Sequence, residues 1–182
     1  MKPVTLLTDR LVLDQPTLAD ADLATEYCRD PLFERFMVTP WPYSRADAVG
    51  FFVDYIPRAW ENDSEYSWSL RLDGEFLGMI GFRPAGKDIG YWIGAPHRGH
   101  GYMTEALGSV LDWLFARGHE DILWECFVGN AASASVARKN GFTFTGENES
   151  NVTARDGSHP AALHGVLRAS DSRAVKPGWP VC

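Results

Sequence analysis

Arg98-Gly99-His100-Gly101-Tyr102 runs without a break into Met103-Thr104-Glu105-Ala106-Leu107. An apolar, strand-like segment, Ile89 to Ile93, precedes it. After it, Met103, Leu107, Val110, Leu111 and Leu114 recur at helical spacing until Gly118 ends the pattern. A glycine-bearing turn between a strand and a helix leaves backbone N–H groups bare at the helix N-terminus, where the helix dipole favours an anion. The turn therefore reads as a cradle for a phosphate-bearing ligand. The plainer alternative is that Gly99 and Gly101 only make a tight turn.

Upstream, Arg10 to Asp14 alternates apolar and charged residues, as a strand does. Thr17, with Asp20 three positions on, starts a short helix that Pro31 is expected to end. Pro40 and Pro42 make Phe36 to Tyr43 a loop. Ser44 and Asp47 start a second helix with Val49, Phe52, Val53 and Ile56 on one face, and Pro57 bends or ends it. Glu65 to Leu72 and Glu75 to Phe82 flank a hairpin signal, Asp73-Gly74, and Asp88 to Ile93 is the next strand. Downstream of the long helix come a strand, Ile122 to Val128, and a short helix, Ala131 to Asn140, stopped by Gly141. A final hairpin, Phe142 to Leu167, has its polar tip near Asp156-Gly157. This order is α+β. It is not the regular alternation of a dinucleotide-binding fold, whose glycine turn follows an early strand.

The 182 residues suit one domain over 1–168, followed by an irregular tail over 169–182 with Pro177, Gly178 and Pro180. A net charge of -7 without basic blocks argues against a nucleic-acid partner and is compatible with a cationic substrate. Met1 to Arg10 lacks an apolar core, and no run approaches the roughly 18 apolar residues of a membrane span. Cys28, Cys126 and Cys182 are few, odd in number and far apart, as reduced thiols are. The expectation is a cytoplasmic protein that binds no membrane. His97 and His100 lack a further ligand at suitable spacing, so no metal is expected.

Four stretches together resemble one family, the GCN5-related N-acetyltransferases (GNAT), and within it the ribosomal-protein N-terminal acetyltransferases. They are Thr8 to Leu13, Ile89 to Ile93 with Pro96, His97 to Leu107, and Asn130 to Ser133 with Val136, Lys139, Gly141 and Phe142. The family's loop has Arg or Gln, two residues, Gly, one residue, then Gly or Ala. Arg98 and Gly101 match it, whereas Met103 stands where a small residue is usual.

The resemblance implies a mixed, mostly antiparallel sheet of six to seven strands flanked by about four helices, with acetyl coenzyme A as co-substrate. It implies that Arg98, Gly99, His100, Gly101, Tyr102 and Met103 hold the pyrophosphate. Trp92, Ile93, Gly94 and Asn130 would bind the pantetheine arm, with an N–H near Ile93 stabilising the oxyanion. Asn130 also suits a helix cap. Ser133 either protonates the leaving thiolate or is structural. Among Asp88, Glu105 and Glu125, the resemblance selects Glu125 as base toward a primary amine. Phe36, Trp41, Tyr43 and His164 are candidates for the acceptor wall; the alternatives are a satellite hydrophobic cluster under the loop for the three aromatics and a plain surface or core histidine for His164. The implied reaction moves acetyl to a protein N-terminus or small amine by direct attack through a tetrahedral intermediate. A non-catalytic coenzyme A sensor is the alternative. A homodimer is compatible with the resemblance.

Overall fold

The computed structural model describes residues 1–180. Two short strands, β1 (Leu6–Leu7) and β2 (Val12–Asp14), lead to a single 3₁₀ turn, Leu18–Asp20, and α1 (Ala21–Tyr27). Thr17 donates to Asp20 Oδ2 through its N–H (2.7 Å) and its hydroxyl (3.0 Å), so this helical start is tied by the expected pair. Pro31 does not end that helix. It opens a separate one, α2 (Pro31–Phe36), with Asp30 Oδ1 accepting from Leu32 N–H at 2.8 Å. Proline lacks the N–H that is orphaned at a first helical position anyway, so an Asp-Pro pair starts a helix as readily as it stops one.

The next rod spans 45–61. It comprises α3 (Arg45–Val49), a π segment (Gly50–Tyr55) and α4 (Ile56–Glu61). Pro57 does not end it, and the turn before it is wide: Ile56 N–H donates to Phe51 O, five residues back.

Then come β3 (Tyr66–Leu72) and β4 (Glu75–Arg83), joined by Asp73 and Gly74 at φ 50° and 87°, followed by β5 (Asp88–Ile93). The long helix is α5 (Tyr102–Ala116), then β6 (Asp121–Phe127), α6 (Ala131–Lys139), β7 (Thr143–Glu149) and β8 (Ala161–Arg168). All eight strands form one sheet in the order β1-β2-β3-β4-β5-β6-β8-β7. Only β5 and β6 are parallel.

The α+β class is as expected. The strand count exceeds six to seven because the two-residue β1 joins the edge. Counted with 45–61 as one rod, there are five α-helices among the described residues, α2 being the one the sequence reading lacked.

The core holds Trp60, Trp68 and Trp124, and buries Val110, Leu111 and Leu114 of α5. Arg71 clamps the helical start to the sheet, donating to Asp14 Oδ1 (2.8 Å) and to both carboxylate oxygens of Asp20 (2.8 and 2.7 Å). Residues 169–180 form no helix or strand. Trp179 nevertheless packs on Trp124 and Phe144 and donates to Phe142 O at 3.3 Å. Among the described residues, no helix is long and apolar enough to cross a membrane, and no group of three His, Cys, Asp or Glu could hold a metal ion.

Candidate active site

The parallel strands β5 and β6 touch at one register pair, Asp88 with Leu123, where Leu123 N–H donates to Lys87 O at 2.7 Å. Past that point they part. β5 stays with β4, and β6 stays with β8. Gly94 N–H donates to Leu77 O at 2.8 Å. Strand alternation therefore turns the backbone groups of Tyr91 and Ile93 away from β4, into the fork. The β4 side is tight: a Cβ on Gly78 would lie 2.3 Å from Trp92 O and 2.7 Å from Ile93 Cα. Gly94 faces the Tyr27 ring at 2.6 Å in the same sense.

At the open end of the fork, Gly99 and Gly101 sit at φ 81° and 80°, conformations that a Cβ disfavours. Gly101 is the N-cap of α5 and supplies no side-chain cap, so the first N–H groups of α5 point outward without one. Met103 is buried, its side chain turned into the core. His100 stacks on Tyr102 with ring centroids 5.5 Å apart.

The loop is braced from two sides. Arg98 donates to Asp30 Oδ2 at 2.8 Å and to Ile93 O at 3.4 Å, so its guanidinium is turned toward the start of α2. Arg10 donates to His100 O (3.2 Å) and to Glu105 Oε2 (2.7 Å), and lies 4.7 Å from the Tyr102 ring centroid. Glu105 also accepts from Thr8 Oγ1 at 2.5 Å. Burial raises the Glu105 pKa, but these donors outweigh it and hold the carboxyl below its ordinary range.

On the β6 side, Asn130 caps α6, its Oδ1 accepting from Ser133 N–H at 3.2 Å. The Ser133 hydroxyl accepts from Trp124 Nε1 (3.2 Å) and donates to the Tyr91 oxygen (3.3 Å), while Tyr91 O–H donates to Ser133 O (2.9 Å). Burial pushes the Tyr91 phenol well above its ordinary pKa, so it stays protonated.

Two cavities meet at the fork. The smaller, of about 140 Å³, is lined by Phe33, Ile93, Arg98, Met103, Asn130 and Ser133 among others. The larger, of about 570 Å³, is lined by Tyr43, Tyr55, Glu65, Arg83, Glu125 and Val152 among others. Phe36, Met37, Tyr91 and Trp92 line both. The larger cavity also contains Cys28, whose thiol burial pushes up to about 12, which leaves it protonated and poorly nucleophilic.

Glu125 borders the larger cavity with its carboxylate already surrounded by donors. Oε1 accepts from Ser150 Oγ (2.7 Å) and Val152 N–H (3.3 Å), and Oε2 from Asn151 N–H (3.1 Å) and Nδ2 (2.9 Å). His164 Nδ1 is 3.5 Å from Oε2. Glu125 thus pins the loop between β7 and β8. Arg155 holds the same loop from outside, donating to Met37 O (2.6 Å), Thr39 O (3.0 Å) and Glu34 O at the end of α2.

Of the expected residues, Trp92, Ile93, Arg98, Met103, Asn130, Ser133 and Phe36 gather around the smaller cavity, and Tyr43 and Glu125 around the larger. Gly99, His100, Gly101 and Tyr102 form the turn at its end. The Gly94 N–H is committed to Leu77. Trp41 packs against the core, and His164 sits beside Glu125 with its Nε2 buried and unpartnered; neither lines either cavity. Sequence reading missed Tyr91, Asp30, Arg10, Glu65 and Arg83. Only Asp30 carried a local signal, its position before Pro31.

A forked parallel pair, with a glycine turn and an uncapped helix at its open end, makes a site for an extended ligand that carries a phosphate. Residues 10–143 match the acetyltransferase (GNAT) domain family, and the chain belongs to it.

Among curated proteins, the chain is 31% identical over 119 residues to an uncharacterised N-acetyltransferase, p20, of Bacillus licheniformis, covering 61% of this chain and 66% of that protein. It is 32% identical over 80 residues to the ribosomal-protein-serine acetyltransferase of Escherichia coli (strain K12), covering 41% of this chain and 45% of that one. Among solved structures, the ribosomal L7/L12 alpha-N-protein acetyltransferase RimL in complex with coenzyme A superposes with a TM-score of 0.77 at 19% identity, over 91% of this chain and 98% of that one. The microcin C7 self-immunity acetyltransferase MccE, in complex with acetyl-CoA and AMP, gives 0.76 at 22% identity, over 88% of this chain and 93% of that one.

Proposed function

We propose that this protein transfers an acetyl group from acetyl coenzyme A to a primary amine by direct attack. The observation that carries the reading is the meeting of the two cavities at Tyr91 and Trp92. In this reading the pyrophosphate sits on the N–H groups at the start of α5, and the pantetheine arm lies along the fork edge of β5. The thioester then reaches the junction, and the amine arrives from the larger cavity. An N–H from the fork edge near Ile93 stabilises the oxyanion. The Ser133 hydroxyl, freed from Tyr91 by one rotation, donates to the departing thiolate.

Direct attack is favoured over an acyl-cysteine route because burial keeps the Cys28 thiol protonated and Cys126, the other thiol lining the larger cavity, donates its S–H to Asn130 O at 3.6 Å. The lone pairs of Glu125 are engaged by the 150–152 loop, which supports a positioning role and proton removal through water. The complexes of RimL with coenzyme A and of MccE with acetyl-CoA support the same co-substrate here.

The test is free-thiol release from acetyl coenzyme A across a panel of peptides with free N-termini and small amines. Thiol release that depends on the amine is expected. Tight coenzyme A binding with no turnover on any amine would instead favour a sensor.

A further inference from the structure

We infer that the far end of the larger cavity recognises a second cationic group on the acceptor, with Glu65 as its ligand, so that the substrate is a small diamine rather than a simple monoamine. This rests on the amine-acetyltransfer reading above.

Gly81 on β4 and Gly90 on β5 are cross-strand partners and give this cavity a floor without side chains. Over that floor lie two charged groups. A Cβ on Gly81 would stand 2.8 Å from Glu65 Oε1, and one on Gly90 would stand 3.5 Å from an Arg83 Nη atom.

Among the described residues, Arg83 is the only Lys or Arg lining the cavity, and it is already bound to Asp88, its Nε 2.8 Å from Oδ2. Its charge reaches Glu65, but among the described residues no cationic nitrogen comes within 4.0 Å of the Glu65 carboxylate. The partners of Glu65 are neutral. Ser67 Oγ donates to Oε1 at 2.6 Å and Tyr55 O–H donates to Oε2 at 2.8 Å.

Glu65 is only 7% exposed. A buried carboxylate whose hydrogen-bond donors are both neutral, with the nearest guanidinium bound to Asp88, retains capacity on each oxygen for another donor. An alkylammonium supplies both the charge and the donors.

The spacing suits a short chain. Trp92 to Gly90 is two residues along β5, about 7 Å, and Gly90 to Gly81 is one strand across, about 5 Å. The reacting nitrogen and the second cation are therefore about 8 Å apart. A cavity of about 570 Å³ is of small-molecule size.

The test compares initial rates for short α,ω-diaminoalkanes with those for n-alkylamines of matched length. It adds calorimetric titration of the diamines into protein saturated with coenzyme A. The diamines are expected to have at least a tenfold higher kcat/KM. Glu65→Gln should raise their KM about tenfold with little change in kcat, and leave the alkylamines and coenzyme A affinity as they were.

Equal kcat/KM for diamines and alkylamines in the unsubstituted protein would overturn the inference, whatever the folding of the variant. So would a Glu65→Gln loss shared by both amine classes. If no amine turns over, the transferase reading falls. The subsite then stands if diamines bind the coenzyme A-saturated protein and Glu65→Gln weakens them, and it falls if they do not bind.

Discussion

The smaller cavity at the fork and the larger one beyond it are made of different material. The end of the smaller is a contiguous run, 98–103, whose working groups in the proposed reading are backbone N–H groups. Two of its side chains border the smaller cavity but are engaged elsewhere, Met103 packing into the core and Arg98 bonding Asp30. The larger is walled by side chains from the 36–43 loop, the 45–61 rod, β3 to β6 and the loop after β7. A backbone site tolerates side-chain change but not a misplaced Cβ. A side-chain site is the reverse. One half of the protein can thus keep its ligand while the other changes its own.

The strongest challenge to this division is Gly101→Val. A β-branched residue at φ 80° strains the loop by about 1–2 kcal/mol and turns the first N–H groups of α5. Coenzyme A affinity, measured by calorimetry, should fall about 100-fold or more, roughly 2.7 kcal/mol, while KM for the amine at saturating acetyl coenzyme A stays put. Unchanged coenzyme A affinity would mean that side chains, not backbone, hold the phosphate.

Ser133→Ala comes next. It removes a hydroxyl that touches Trp124 and Tyr91 without altering the Asn130 cap. A fall of about 100-fold in kcat with coenzyme A affinity held is expected of a proton donor. A merely structural serine would instead lower Tm and leave kcat in place.

The same division explains what could be read from the chain. Strand β5 coincides with the expected Asp88 to Ile93, and α5 and α6 start and stop within a residue or so of their glycine and asparagine signals, because those signals are local. The larger cavity depends on contacts that no local pattern encodes. Glu65 reads as a charged strand end until Tyr55, ten residues earlier on the π segment, is folded over it. Arg98 reads as a phosphate ligand until α2, which the sequence reading lacked, brings Asp30 beside it. Tyr91 reads as strand filler until α6 sets Ser133 against its hydroxyl. Trp41 and His164 were chosen by the resemblance, yet lie outside both cavities.

Glu125→Gln sharpens the comparison from the side-chain half. A neutral amide keeps the shape but presents a donor where Oε1 or Oε2 now accepts only, so the 150–152 loop loosens. The amine KM should rise about tenfold, kcat should fall less, and coenzyme A affinity should hold, since a charged acceptor bond contributes about 1.5–3 kcal/mol. Arg155→Ala, which frees the same loop from the end of α2, should shift the amine KM in the same direction. A collapse of kcat in Glu125→Gln with KM unchanged would make Glu125 the base itself.

The smallest effect is expected where a strong one is intuitive. Arg98 sits in the phosphate turn, but its guanidinium is spent on Asp30, so its task is to brace the turn against α2. Arg98→Ala should therefore weaken coenzyme A only about threefold, in the range of a partly exposed ion pair. Asp30→Ala should do the same, and the double variant should be no worse than either single one, because both remove one link. Were Arg98 a direct phosphate ligand, the two would part in sign. Arg98→Ala would cost tenfold or more, while Asp30→Ala would release the guanidinium toward the phosphate and tighten binding. A calorimetric titration of coenzyme A into the three variants separates a loop held by its backbone from one that depends on its single cation.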